Sequence, residues 1–286
     1  MAIELGILFA IGALLAWGFG DFFIQRTTRK LGDWGTLFVI SLFGLIVLTP
    51  FVYKDFGSLN ENFLLLLGVS AVLLIAALLD FEALKRGKLA IVEPVLALEV
   101  PVSAMLAFLL ISEVASFLQA ILIAAIILGI ILVSLKSFHF KRSAWIEKGA
   151  VLGMLGALFM GVSNFLVGFA SRISNPLLVT WFYSLFLVII CFVYLVSTKK
   201  LGKLMRDIKQ NKKTVLVVSI FDNAAWICFA FAMTLIPIVI AVALSESYIA
   251  LAALLGLVIN RERLLKHQLV GLVLTLAGAI TLAAIT

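Results

Sequence analysis

A bundle of ten membrane-spanning α-helices, built as two inverted five-helix repeats, is the fold this 286-residue sequence predicts. Three observations lead there. Hydrophobic residues make up 64% of the chain and charged residues 13%; apolar blocks of about 20 residues, enough to cross a bilayer, recur along its length; and the second half repeats motifs of the first. Soluble domains are about 45–50% apolar and about 25% charged, so a chain with a mean hydropathy of +1.24 takes lipid as its solvent. Only helices or closed barrels satisfy their backbone in hydrocarbon, and these runs lack the alternation of barrel strands.

The first span covers residues 4–24. No basic segment precedes Ile3, so this span is expected to stay in the protein rather than leave as a signal peptide. The second (34–53) and third (63–84) follow, the third carrying Asp80 and Glu82 at its basic end. The fourth (89–111) contains Glu93, Pro94, Glu99 and Pro101, and the fifth (117–135) is apolar. The sixth (149–171) holds Asn164 and the seventh (177–197) holds Cys191. Between Thr198 and Lys213, a weak amphipathic pattern of Leu201, Leu204, Met205 and Ile208 predicts a segment lying on the membrane surface. The eighth span (214–234) carries Asp222, Asn223, Trp226 and Cys228. The ninth (238–259) begins after Pro237 and carries Glu246. In the tenth (267–285), Gly271, Thr275 and Gly278 form a stripe of small residues that permits close helix approach, within the bundle or across a homodimer. Both cysteines lie in apolar runs and read as small hydrophobes, not as disulfide partners or metal ligands. Pro94, Pro101 and Pro237 remove backbone donors and offer hinge positions.

The repeat is legible residue by residue. A shift of 143 lays Glu4-Leu5-Gly6 on Glu147-Lys148-Gly149, Gly18 on Gly161, Asp21-Phe22 on Asn164-Phe165 and Arg29 on Arg172. A shift of 149 lays Glu113, Gln119 and Gly129 on Glu262, Gln268 and Gly278. The expected repeats are residues 1–140 and 141–286. An odd number of spans per repeat sends the second copy into the membrane upside down, and charge agrees: Lys85-Arg86-Gly87-Lys88 corresponds to the uncharged Leu235-Ile236-Pro237. Of 22 Lys and Arg residues, all but Lys54 and Arg172 fall in the loops after spans 1, 3, 5, 7 and 9. The positive-inside rule makes those loops cytoplasmic and puts both termini outside, in a multi-pass protein of the cell (plasma) membrane. The net charge of +7 thereby describes one membrane face, and nucleic-acid binding need not be invoked.

Trp17-Gly18-Phe19 in the first span, together with the paired Glu113-x5-Gln119-x9-Gly129 and Glu262-x5-Gln268-x9-Gly278, resembles the drug/metabolite transporter superfamily, specifically its EamA-type members, over essentially the whole chain. The resemblance implies a carrier for small metabolites such as amino acids, amines or sugar derivatives. It also implies alternating access through a cavity lined by spans 1, 3, 4, 6, 8 and 9, with 5 and 10 packed behind. Two features depart from the pattern. The charge distribution places the termini opposite to the usual family arrangement, and this chain is richer in intramembrane carboxylates.

Those carboxylates are the first functional candidates, because a charge near the bilayer centre costs at least about 2.5–3.5 kcal/mol and must face a cavity or a partner. Glu99, Asp222 and Glu246 fall near mid-span, and Asp21, Asp80, Glu82 and Glu93 fall nearer the basic end. Trp17 and Asp21 are i, i+4, as are Asp222 and Trp226, so each half offers an indole one turn from a carboxylate. That pairing suits an ammonium group, with the indole adding about 0.5–2 kcal/mol. Trp17, Asp21, Asp80, Asn164, Asp222, Asn223, Trp226 and Tyr248 are therefore the expected substrate contacts. The bland alternative is packing for the tryptophans and interhelical hydrogen bonding for the two amides. Glu99 and Glu246 are the expected proton-coupling residues, since a low dielectric favours the neutral carboxyl form and so suits proton exchange; hydrogen bonding of Glu246 to Ser245, Ser247 or Tyr248 would make it structural instead. Glu113 and Glu262 read as structural helix ends.

No zinc-binding histidine set, Gly-x-Ser-x-Gly elbow or phosphate-binding lysine loop occurs in the sequence. The expected function is secondary transport of an amino-containing or cationic metabolite, proton-coupled, without cofactor or metal, as a monomer or homodimer in lipid. An uncoupled exporter of neutral or zwitterionic metabolites such as amino acids is the main alternative, a nonspecific drug exporter another, and an intramembrane enzyme the remotest.

Overall fold

The computed structural model describes residues 2–86, 96, 98–135, 148–248, 250–251 and 265–286. The described residues are helical almost throughout. Among the described residues, ten helices fall within or across the ten expected spans: α1 (Ala2–Leu31), α2 (Asp33–Val52), α3 (Leu59–Arg86), α4 (Glu99–Ile111), α5 (Phe117–Ser134), α6 (Lys148–Ile173), α7 (Pro176–Ser197), α8 (Lys212–Leu235), α9 (Ile238–Glu246) and α10 (Lys266–Ile285). A 3-10 helix, Tyr53–Ser58, joins α2 to α3, and a surface helix, Leu201–Gln210, joins α7 to α8. The expected residues Glu93, Pro94, His139, Arg261, Glu262 and Arg263 lie outside the described set, as does the side chain of Asp21.

Several helices outrun their apolar blocks, α1 by seven residues at its C-terminal end, because backbone hydrogen bonding continues into the polar zone after hydrophobicity stops. Gly32 alone links α1 to α2, at a φ of 75° that side chains rarely adopt. Asn175 starts α7 by accepting a hydrogen bond from Leu177 N at 2.9 Å, with Pro176 in the first helical position, where no donor is missed. The surface helix buries Leu204, one residue of its amphipathic pattern, against Gly35 at the start of α2.

Helix pairing displays the inversion. α1 packs along α8, α3 along α6, α4 on α6 and α9 on α1, while α2 meets α7, α4 meets α9 and α5 meets α10. Exchanging the halves leaves this set of pairs unchanged. Equivalent helices also run antiparallel: Trp34 stacks on Tyr194 with ring centroids 4.0 Å apart, while at the other end of the same pair Trp181 donates to Thr49 Oγ1 at 2.9 Å.

Close contact is made at small residues. A Cβ on Gly271 would stand 2.6 Å from Gly129 O and 2.8 Å from Val133 N, so the backbones of α5 and α10 touch. The expected stripe of α10 thus packs inside the bundle. Outward faces carry large apolar side chains such as Leu8, Phe117 and Ile280, which suit lipid. Some buried hydroxyls return to their own helices, as in Ser70 to Leu66 O (2.7 Å) and Ser247 to Ala243 O (2.8 Å).

Gly271→Ala should wedge α5 from α10 and destabilise the protein by about 1–3 kcal/mol, read as a lower unfolding temperature in detergent. Gly68→Ala, where an added Cβ meets nothing within 4 Å, should leave that temperature unchanged or raise it slightly.

Candidate functional site

The α1–α8 seam sets the first half of the site. Gly6 lies against Leu235 and Ile236, Gly12 against Cys228 and Gly20 against Phe221, so the two helices run side by side and Trp17 comes to rest opposite Trp226. Their rings meet edge to face, centroids 5.4 Å apart at 89°. Phe229 completes a triangle at 5.2 Å from Trp17 and 5.8 Å from Trp226. Tyr248 of the ninth span lies 6.0 Å from Trp17, and Tyr183 of α7 lies 5.9 Å from Trp226. Each such pair adds about 0.5–1.5 kcal/mol beyond its buried area. Spacing alone expects one indole station in each half; the structure merges both indoles into one aromatic cluster, because α1 and α8 belong to different repeats and pack together. Asp222 stands one turn from Trp226 on α8 and within electrostatic reach of Tyr183. Tyr183 and Phe229 were not among the expected residues. A tyrosine inside an apolar span was the available signal for Tyr183, and Phe229, one of 23 phenylalanines, carried none.

The second half of the site is acidic and lies where α3 and α4 dock on α6. Asn164, buried, donates through Nδ2 to Glu99 Oε2 at 3.4 Å. Ser103 holds the α4–α6 contact by donating to Gly161 O at 2.8 Å. Asp80 packs on Gly156, within electrostatic reach of Glu99, and its buried Oδ1 has no hydrogen-bond partner among the described residues. Glu246 is 4% exposed, at the C-terminal end of α9. Its neighbour Ser245 donates to Ala10 O of α1 at 3.4 Å and Ser247 to its own helix, so both hydroxyl protons point to backbone. Asn223 uses its two N–H groups on Ile40 O (3.0 Å) and Ser219 O (2.8 Å), which makes it a tie between α8 and α2.

The two ends of the bundle differ. Where α1, α3 and α7 end and the surface helix begins, a cavity of about 730 Å³ is lined by residues including Thr28, Arg29, Glu82, Lys200 and Lys203. Its lining includes none of the nine expected site residues whose side chains are described. Lys30 donates to Asn211 Oδ1 at 2.6 Å across this end. At the opposite end, Arg172 pairs with Glu113 at 2.8 Å.

The glutamines of the paired motif are caps. Gln119 Oε1 accepts from Ser116 N at 2.9 Å, and Ser116 Oγ accepts from Gln119 N at 3.3 Å, a capping box that opens α5. Gln268 accepts from Leu265 N at 2.9 Å and donates to Val133 O at 3.1 Å, tying the start of α10 to the end of α5. His267 Nε2 approaches Leu135 O at 2.8 Å beside it.

A solved crystal structure with 14% sequence identity superposes with a TM-score of 0.75 over 98% of this chain and 96% of its own, which establishes the fold. An uncharacterized protein of Methanocaldococcus jannaschii is 33% identical over 141 residues; that stretch is 48% of this chain but 98% of the relative, which is thus about one repeat long. The sequence profile of the EamA-like transporter family matches twice, over residues 4–135 and 147–284. Two matches that together span nearly the whole chain, on an inverted ten-helix bundle, place this integral membrane protein in the EamA-like transporter family, whose members carry small molecules across membranes.

Proposed function

We propose that the protein is a carrier of small organic cations or amino-bearing metabolites that works by alternating access and couples transport to protons. The single observation that carries this reading is the aromatic cluster. Trp17, Trp226, Phe229, Tyr183 and Tyr248 converge from four helices beside Asp222, and ring faces next to a carboxylate bind ammonium groups. Asp80, Glu99 and Asn164 lie across the pathway on α3, α4 and α6, and Glu99 and Glu246 are the coupling candidates, both buried and both on helices of the proposed cavity wall. The repeats proposed to rock against each other are residues 1–140 and 141–286. With its basic loops in the cytoplasm, the protein would sit in the plasma membrane with both termini outside.

The hydrogen bond from Asn164 to Glu99 favours a second reading, an uncoupled exporter of neutral or zwitterionic metabolites. A Glu99 engaged by an amide is held in place and has less freedom to exchange protons.

Purified protein in liposomes, challenged with amines, quaternary ammonium compounds, amino acids and sugars, tests the proposal. Flux of cations that responds to a pH gradient is the expected result; amino-acid flux indifferent to pH would install the second reading. Trp17→Ala and Trp226→Ala should each raise the KM for a transported amine by about 2–30-fold, the equivalent of one cation–π contact, and Phe at the same positions should recover part of the loss.

Asp222→Asn should abolish cation flux while sparing any neutral solute. Glu246→Gln should flatten the pH dependence of transport; a pH profile identical to that of the unaltered protein would remove Glu246 from the coupling role.

A further inference from the structure

Arg172 is one of two cations that the sequence leaves outside the basic loops, and the structure gives it four helices to hold. α4 ends at Ser112, a non-glycine residue in left-handed conformation (φ 53°), and Glu113 N donates back to Ala107 O at 3.1 Å. That turn aims the Glu113 side chain across the bundle. Its Oε1 pairs with Arg172 Nη2 at 2.8 Å, and its Oε2 accepts from Ile238 N, the first residue of α9, at 2.7 Å. Arg172 in turn donates through Nε to Met233 O at 2.7 Å and through Nη2 to Ile236 O at 3.0 Å. These carbonyls belong to the C-terminal end of α8, where a helix lacks internal donors. One ion pair therefore gathers the ends of α4, α6 and α8 and the start of α9, with Glu113 only 13% exposed.

The equivalent arginine tells the other half of the story. The 143-residue shift lays Arg29 on Arg172, and Arg29 is exposed and lines the cavity at the opposite end. Symmetry-related positions thus differ, one fastened to Glu113 and one exposed beside the cavity at the other end. In a carrier with inverted repeats the two ends must exchange states during each cycle.

We propose that the Arg172–Glu113 pair is the gate of the cation-poor face. It holds α4, α6, α8 and α9 together while the basic end is open, and it must part before the pathway opens on its own side. The proposal rests on the alternating-access reading but not on the identity of the substrate.

Single cysteines test it. In a Cys191→Ala, Cys228→Ala background, Thr234→Cys reports on the gate end and Lys203→Cys, at an exposed position in the cavity lining, on the cavity. Purified protein in lipid nanodiscs is treated with a membrane-impermeant maleimide, and no substrate is added. Lys203→Cys should label quickly and Thr234→Cys slowly. Adding Glu113→Gln, which keeps an oxygen for Ile238 N but drops the charge, or Arg172→Gln should accelerate labelling at 234 by about tenfold or more, the scale of one charge-assisted hydrogen bond, and slow labelling at 203. Arg172→Lys, which keeps charge without the planar fork, should fall between. Unchanged rates at both positions, in variants with an unaltered size-exclusion profile, would make the pair a static brace and overturn the gate. Acceleration at both positions would show general loosening and overturn it equally. A gate response together with no flux of organic cations in the liposome assay would leave the gate standing and remove the cation reading alone.

Discussion

In lipid, an apolar side chain gains nothing by leaving one hydrocarbon surface for another, so close approach between backbones does the work that hydrophobic burial does in water. Everything in this molecule hangs on that constraint. α1 reaches α8 through Gly6, Gly12 and Gly20, and α5 reaches α10 through Gly129 and Gly271. The first seam brings Trp17 to Trp226; the second carries the paired caps of Gln119 and Gln268. A methyl group at either seam would move the aromatic cluster or part α5 from α10.

Polar side chains inside the bundle divide by what they touch. Asn223 has both N–H groups on backbone carbonyls and acts as a tie, whereas Asn164 directs a donor at a carboxylate. Asp80 keeps one buried oxygen without a partner among the described residues. Arg172 lies at the other extreme, with two donor nitrogens making three contacts in one small volume.

Hydropathy made the spans and the surface helix legible, and the two shifts made the inversion legible, because both signals are one-dimensional. Rotation and pairing are not. The i, i+4 spacing of Asp222 and Trp226 correctly puts them on one face of α8, but nothing in that spacing says that the face meets Trp17 from the other repeat, or that Tyr183 and Phe229 close the cluster. Glu113 read as a structural helix end, and it stands just past the C-cap of α4; its grip on Arg172 and on Ile238 N appears only once α4, α6, α8 and α9 are assembled. The signal for Arg172 was present all the same, as a cation standing on the side that the other basic residues avoid.

The pairing of α2 with α7, α4 with α9 and α5 with α10 means that each of these elements meets its own counterpart. Such a surface is self-complementary in the sense of an isologous dimer, so a chain of one repeat could in principle assemble with a second copy inserted in the opposite direction. Two identical copies would carry every acid twice. Joining the copies in one chain lifts that restriction: the 143-residue shift lays Asp21 on Asn164 and Asp80 on Asn223, an acid in the first half against an amide in the second. Fusion lets an acid at one position stand against an amide at its equivalent, an asymmetry that no pair of identical subunits can reach.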